Sequence, residues 1–570
     1  MSAPPEDLLD WQRLALAVLR KSGRAGEDTP PEAVADLLAT ETYDGLRIAP
    51  LYTAADPAPP AGAPGHVPFV RGASAAPRPW DVRTRHADPD PKATRAAVLA
   101  DLENGATSLW LAGIAPDDLA EALDGVLLDL APVVLDNGAS TPEAARAFLA
   151  LPGSDKSGNL GADPLGLAAR TGEIANLSVL SDLSKLSPVP VATVDATVYH
   201  DAGASDAQEL GYATATGVAY LRELVGAGLS AGMALKQLEF RFAATADQFA
   251  TIAKLRAARR IWARVAQVCE APHLGAQRQH AVTSDAMMTA RDPWTNLLRT
   301  TLACFGAGAG GADAVTVQPF DARLGRPDAF SRRIARNTQS LLIEESGVAR
   351  VLDPAGGSWY VESRTDALAH AAWDVFTEVE RAGGMAAALR SGLAGDRIGA
   401  VRQRREDDLA HRRQPITGVS EFPDLAERRP VRPPAPVPPE GGLPRMWYSQ
   451  GFEALRDAAD AAPAPPAVRL VALGPVAAHS ARVSFAANLF AAGGVRLAED
   501  AASPVACICG SDRSYAEEAA ATAARLRAEG VTKVWLAGRG DHEGVDAYLH
   551  NGCDALAVLR QTHEDLGVAP

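Results

Sequence analysis

The sequence predicts an α/β protein in two parts, a (β/α)₈ TIM barrel followed by a smaller doubly wound parallel sheet of the flavodoxin or Rossmann kind. Through the middle of the chain, short β-type runs alternate with long Ala-rich helical patterns, the order a parallel sheet imposes because each crossover between parallel strands needs a helix. The C-terminal residues, 467–570, repeat that rhythm in shorter elements. Two Pro-rich stretches flank the barrel pattern and can be neither regular helix nor central strand, since proline removes a backbone donor and fixes φ.

Residues 1–88 read as an N-terminal helix and a Pro-rich arm suited to a subunit contact. In MSAPPEDLLDWQRLALAVLRKSG, acidic residues stand where an export signal needs positive charge. Leu8, Trp11, Ala15 and Val18 recur at helical spacing, while Arg13 and Arg20 interrupt any continuous apolar run, which makes an amphipathic helix. The arm contains DPAPPAGAPGHVPFVRGASAAPRPW. Residues 89–411 carry the barrel pattern, with candidate strands TSLWLAGI, PVVLDNG, VPVATVDATVYH, KQLEFRFAA and ADAVTVQPF, and helices such as DQFATIAKLRAARRIWARVAQV. A closed barrel is the economical solution at this length, and its active face would lie where the strands end. Residues 412–466, including EFPDLAERRPVRPPAPVPPEGGLP, read as an extended connector. In residues 467–570 the runs VRLVALGP, ACICGS, TKVWLAG and DALAVL alternate with helical segments, an open sheet whose ligands bind beyond the carboxyl ends of its strands.

A chain of 570 residues with a formal charge of -15 and no Lys/Arg-rich run argues against a nucleic acid or an anionic membrane as the main partner. No stretch of about 18 uninterrupted apolar residues is present to span a bilayer. The five cysteines, Cys269, Cys304, Cys507, Cys509 and Cys553, are scattered and lack the paired spacing of a zinc site. Cys507 and Cys509 fall on one face of a strand and read as small core residues in a reducing compartment. A cytoplasmic protein with no metal site is expected.

Four long blocks stand out: TETYDGLRIAPLYT, AKLRAARRIWA, DPWTNLLRTTLACFGAGAGGADAVTVQPFD and FSRRIARNTQSLLIEESGVARVLDPAGGSWYVE. With the order barrel then sheet, and a His just after the first strand of the sheet, they resemble the adenosylcobalamin-dependent acyl-CoA mutases, the methylmalonyl-CoA mutase family in particular. The resemblance implies a cobalamin-binding-type second domain in which an Asp-x-His-x-x-Gly loop places the His on cobalt, the Asp orients it and the Gly clears the nucleotide tail. Here His479 stands at the His position, but Ala477 replaces the Asp and Arg482 the Gly. The family's Ser-x-Leu corresponds to Cys509-Gly510-Ser511, and its Gly-Gly to Ala537-Gly538, followed by the bulky Arg539.

In the barrel the resemblance implies a Pro-Trp-Thr-x-Arg-x-Tyr segment whose Tyr wedges against the corrin. Pro79, Trp80 and Arg83 match, while Asp81 replaces the Thr and Arg85 the Tyr. Tyr199-His200, at the end of the candidate strand VPVATVDATVYH, match a pair whose His polarises the migrating thioester carbonyl. The two residues that should follow are missing. His280 is kept, but the substrate-contacting Gln becomes Val282.

The resemblance therefore implies a small, non-catalytic chain of a heterodimeric family member. Tyr199 and His200 would be remnants of a catalytic site and His479 of a cobalt ligand, with no metal bound here. Adenosylcobalamin would sit on the large (alpha) chain only. That holoenzyme would interconvert succinyl-CoA and (R)-methylmalonyl-CoA in propionate metabolism, and acyl-CoA would reach this chain only through its partner. Two alternatives are an active mutase using Tyr199, His200 and His479 on a related branched acyl-CoA, and an unrelated barrel hydrolase or lyase.

Overall fold

A computed structural model describes residues 6–56, 58–153, 155–186, 189–437, 439–498 and 503–569. Met1–Pro5 of the N-terminal segment, and Pro57 and Pro438 of the two Pro-rich stretches, lie outside the described residues.

Eight parallel strands form the barrel: β1 (Asp81–His86), β2 (Ser108–Ala112), β3 (Val133–Asp136), β4 (Gly158–Asn159), β5 (Ala192–Asp195), β6 (Leu238–Ala244), β7 (Gln279–Thr283) and β8 (Ala314–Thr316). Their order is β4-β3-β2-β1-β8-β7-β6-β5, and a parallel bridge between Ala162 and Ala192 closes the ring. Period-two alternation sets the two faces of each strand. In β6, Phe240 faces outward and packs edge-on against Trp262 of helix Gln248–Val268, while its neighbours Glu239 and Arg241 engage groups inside the barrel. Strands β1, β4 and β7 were not among the candidates. Arg83, Arg85 and His280 interrupt the apolar run that would have marked β1 and β7, and β4 is two residues long. Since β1 spans Asp81–His86, the barrel begins inside the stretch assigned to the arm.

The arm is bound to its own barrel. Arg259, 1% exposed, donates to the carbonyls of Phe69 (3.0 Å) and Val70 (2.9 Å) in the arm, and to Gly310 O (2.7 Å) and Gln279 Oε1 (2.6 Å) in the barrel. Nearby, Arg71 of the arm and Arg256 of the barrel share the carboxylate of Asp353. Further upstream, the turn between the short antiparallel strands Thr40–Glu41 and Arg47–Ile48 carries Asp44, which accepts from Ala207 N at the start of helix Asp206–Gly226 (3.3 Å). Residues 6–38 build a small cluster of their own, tied to the hairpin through Arg47 and Asp36. Helix Glu6–Lys21 buries Leu16 and Leu19 against Val34, whereas Val18, expected on its buried stripe, is 67% exposed and Leu14 72%.

After the barrel, the chain from 412 follows the loops at the carboxyl ends of the strands. Arg326 N donates to Pro433 O (2.8 Å), Leu443 N to Ala169 O (2.7 Å), Met446 N to Asp201 O (2.8 Å) and Tyr448 N to Ala286 O (2.9 Å). The stretch expected to be extended throughout 412–466 contains a helix, Gln450–Ala461. Its Phe452 is buried in the second domain, its Glu453 accepts from Ala290 N (2.6 Å), and its Asp460 pairs with Arg291 of the barrel (2.6 Å). Proline is absent from QGFEALRDAADA, so nothing opposes the 3.6-residue period there.

The second domain is a parallel sheet of β9 (Ala467–Ala472), β10 (Arg496–Leu497), β11 (Val505–Cys509), β12 (Lys533–Ala537) and β13 (Ala547–Leu549), in the order β10-β9-β11-β12-β13. That is the flavodoxin order, which places the topological switch point between β9 and β11. Cores lie on both faces, one holding Phe452, Phe490 and Leu559, the other Tyr515, Ile508 and Leu526. Cys507 and Cys509 point to the same face, with Sγ atoms 4.0 Å apart.

Burial holds Arg259 below the usual guanidinium range, to about 10, and its donors satisfy carbonyls that have no other route to solvent. Arg259→Leu should lower the unfolding free energy by about 3 kcal/mol or more, measured by chemical denaturation. It should also open residues 58–80 to limited proteolysis before the barrel unfolds.

Candidate functional site

The barrel interior is filled by charge. At one level Arg83 donates to Glu239 Oε1 (2.5 Å) and to Ser108 Oγ (3.2 Å). Nearer the carboxyl ends, Arg241 donates to Asp195 (2.9 Å) and Asp136 (3.2 Å) through Nη1 and to His280 Nδ1 (3.3 Å) through Nε, with its guanidinium 3.9 Å from the Trp110 ring centre. Arg170 donates to the same oxygen of Asp195, Oδ2, at 2.5 Å, and Thr197 donates to Oδ1. Glu239, Arg241 and Arg83 are each 1% exposed and His280 is fully buried.

This network has defined hydrogen positions. An Arg nitrogen only donates, so His280 Nδ1 accepts and Nε2 carries the proton. Nε2–H therefore donates to Thr316 Oγ1 (2.8 Å), whose hydroxyl donates to Arg83 O (2.9 Å). Burial, with Arg83 and Arg241 beside it, holds the His280 imidazole well below the usual histidine range. Burial opposes ionisation of Asp195, but Arg241 and Arg170 overcome it and hold that carboxyl below its ordinary value. Next to them Asp163, which accepts from Tyr220 (2.5 Å), is pushed by burial up to about 6.

Tyr199 and His200 lie not at a strand end but in the short helix Thr197–Asp201 that follows β5. That turn brings His200 against Ser284, the residue that follows β7. Tyr199, 1% exposed, hydrogen-bonds Thr216 (3.2 Å) and packs on Tyr212, ring centres 5.2 Å apart, and burial raises its pKa. His200 Nε2 meets Ser284 Oγ at 2.7 Å and its Nδ1 lies 3.6 Å from Glu209. The order Ser, His, Glu resembles a hydrolytic triad. Ser284 is 1% exposed and Glu209 fully buried, and Glu209 is already held by Lys254 (2.7 Å) and Ala243 N (2.9 Å).

At the mouth, Arg85 is exposed, with its guanidinium 5.0 Å over Trp110. Val282 joins Trp110 and Ala112 in a small apolar cluster there. The connector passes above: Trp447 Nε1 donates to Asp285 (3.0 Å), Arg445 pairs with the same carboxylate, and Arg323 stacks on Trp447 at 3.7 Å.

In the second domain, His479 sits in the first turn of helix Val476–Ala492, half-buried, its Nδ1 3.4 Å from Leu473 O. Ala477 is exposed on the same turn. Arg482 reaches back across the switch point, donating to Gly510 O (2.9 Å) and Asp512 (2.5 Å), with its guanidinium 4.9 Å from the Tyr515 ring centre. Tyr515 was missed in the sequence; its hydroxyl accepts from Gly510 N (2.8 Å) and donates to Ala537 O (2.7 Å), wedging the ring between the ends of β11 and β12. Beside them, Ser511 Oγ accepts from Ser514 N and caps helix Asp512–Ala528. Trp110, Arg170, Asp136, Asp195, Glu239 and Arg241 were also missed. Their one signal was a charge or Trp inside runs otherwise as apolar as LEFRFAA. Among the described residues, no group of three or more His, Cys, Asp or Glu side chains is placed to hold a metal ion, and no helix is long and apolar enough to cross a membrane.

A (β/α)₈ barrel joined to a flavodoxin-order sheet defines a class of two-part enzyme chains, and sequence comparison narrows it. A family model for methylmalonyl-CoA mutase matches residues 182–440. The chain is 55% identical to the methylmalonyl-CoA mutase small subunit of Streptomyces virginiae, over 98% of this chain and 96% of that one. It is 38% identical to the methylmalonyl-CoA mutase small subunit of Propionibacterium freudenreichii subsp. shermanii, over 98% and 94%. To the methylmalonyl-CoA mutase of Cereibacter sphaeroides it is 31% identical, over 75% of this chain and 65% of that one. The chain belongs to the methylmalonyl-CoA mutase family.

A folded imidazole that resists protonation binds fewer protons than the unfolded chain below about pH 6.5, so its stabilisation is complete above that pH and is lost on acidification. His280→Gln should remove this part of the slope: between pH 7.5 and 5.5 the urea midpoint of the wild type should fall more steeply than that of the variant.

Proposed function

We propose that this chain is the non-catalytic small subunit of a heterodimeric methylmalonyl-CoA mutase, a cytoplasmic isomerase of propionyl-CoA metabolism. The large chain carries adenosylcobalamin and interconverts succinyl-CoA and (R)-methylmalonyl-CoA by a 1,2 shift of the thioester carbonyl group. This chain supplies a folded body against which that catalytic chain is held.

The observation that carries the reading is the barrel interior. A catalytic barrel needs donors free to meet charge as it develops on a substrate carbonyl. Here most donors of the buried candidates are committed: Arg241 Nη1 and Nε to Asp136, Asp195 and His280, His280 to Thr316, and His200 to Ser284, while Nη2 of Arg83 and of Arg241 have no hydrogen-bond partner among the described residues. The second domain adds support, because its residues do not fit the cofactor. Arg482 and Tyr515 occupy the switch-point crevice that a nucleotide tail would need, and Ala477 offers no carboxylate to orient His479. A metal-bound imidazole normally has such a partner. The unit of residues 6–38, with Leu14 and Val18 exposed, is a further surface for the large chain.

Mixed with adenosylcobalamin, the isolated chain should give neither a base-off, His-on spectrum nor turnover. Turnover by the chain alone would establish the active-mutase alternative instead. Ala477→Asp with Arg482→Gly should still not bring the spectrum, since Tyr515 continues to bridge Gly510 and Ala537. In the assembled enzyme, His479→Ala should leave turnover at the wild-type rate, measured with saturating succinyl-CoA; a large fall in an intact complex would place His479 in the chemistry.

A further inference from the structure

Helix Asn296–Ala309 lies on the outside of the barrel between β7 and β8, and it is apolar on both sides. Its inner side packs Ala303, Cys304 and Ala307 into the barrel core. Its outer side, with the turn before it, carries Trp294 (48% exposed), Leu298 (67%) and Leu302 (43%), each four residues from the last. The helix has one charged residue, Arg299, which is turned aside to Asn296 Oδ1 (2.7 Å) and Thr417 O (2.6 Å). A surface helix in water carries charge on its outer face; one that is hydrophobic all round is buried in its working state.

Toward the end of the helix, the partly buried Phe305 packs, like Val348, Ala355 and Tyr360, against the buried cluster of Ile252, Ala309 and Val361. The Tyr360 ring lies 5.6 Å from Phe249 and 5.1 Å from Tyr52, beside a surface cavity of about 510 Å³ lined by Leu51, Tyr52, Trp359 and Tyr360 among others. Trp359 is 50% exposed and Leu51 40%.

We propose that this belt, from Trp294 to Trp359, is the seat of the mutase large chain; the assignment rests on the heterodimer reading above. Area argues for a folded partner. The 14-residue helix is about 21 Å long and about 10 Å wide, a footprint of roughly 200 Å², against about 800 Å² per side in a stable complex. Only a body that spans the helix and reaches the aromatic cavity covers enough. Charge argues against a second copy: each chain carries -15, so two copies repel. A relative that carries the whole enzyme's name is 31% identical over 75% of this chain, so a large chain of the same family is a folded body of the size required.

The test uses full-length chains, with affinity for the cognate large chain measured by sedimentation and hydroxyl-radical footprinting of the wild-type complex. Leu298→Glu with Leu302→Glu should weaken binding by about thirtyfold or more, the loss expected for interface hot spots, with the melting transition of the free chain unchanged. Trp294, Leu298 and Trp359 of the wild type should become protected in the complex. If the double variant does not fold, that protection decides. A double variant that binds as tightly as the wild type, or a complex in which these residues label as fast as in the free chain, overturns the proposal while leaving the heterodimer intact. Self-association of the wild type abolished by the variant, with large-chain binding unchanged, assigns the belt to a second copy and also overturns it. A wild-type chain that binds no large chain is a different result and removes the heterodimer reading itself.

Discussion

Arg241 is the residue around which the barrel is organised. A guanidinium that is 1% exposed must be matched by partners inside the protein, because an unpaired buried charge costs more than almost any local packing can return. Its partners come from different strands: Asp136 from β3, Asp195 from β5, His280 from β7, and Trp110 from β2 beneath its face. A one-residue slip in any of these strands would turn its partner to the outside. The cluster therefore specifies register as well as filling space, and it stands where a catalytic barrel would hold its substrate.

The same logic extends outward. Asp195 binds Arg170 as well as Arg241, and Glu209 links His200 to Lys254. A side chain that a sequence motif marks as reactive is thereby drawn into a buried network. His200 keeps its identity and its place after β5, but its ring is held between a buried serine and a buried glutamate.

Both Pro-rich segments act as straps. They make few hydrogen bonds among themselves, so their backbone groups are free to bond the barrel: the arm through the carbonyls that Arg259 captures, the connector through amides that meet the carboxyl-end loops one after another. At the second domain, Arg482 and Tyr515 do at the switch point what Arg241 does in the barrel. Each lies at the carboxyl end of its sheet and bonds groups from more than one strand or loop.

The order of strands and helices, the Pro-rich segments and the long family blocks were enough to read the barrel, the following sheet and the family from the chain. These properties are local, set by period, by proline and by contiguous motif. The sequence also showed which motif positions had changed, Ala477, Arg482 and Arg85 among them. It did not show where strands carrying charge run, because Arg83, Arg85 and His280 break the apolar signal of β1 and β7. It also placed Tyr199 and His200 at a strand end, whereas they lie in one turn of helix after β5. Tyr515, Arg170, Asp195 and Arg241 could not be singled out at all, since each matters through partners as many as 105 residues away, as between Asp136 and Arg241. Pairing at that distance exists only once the ring of strands has closed.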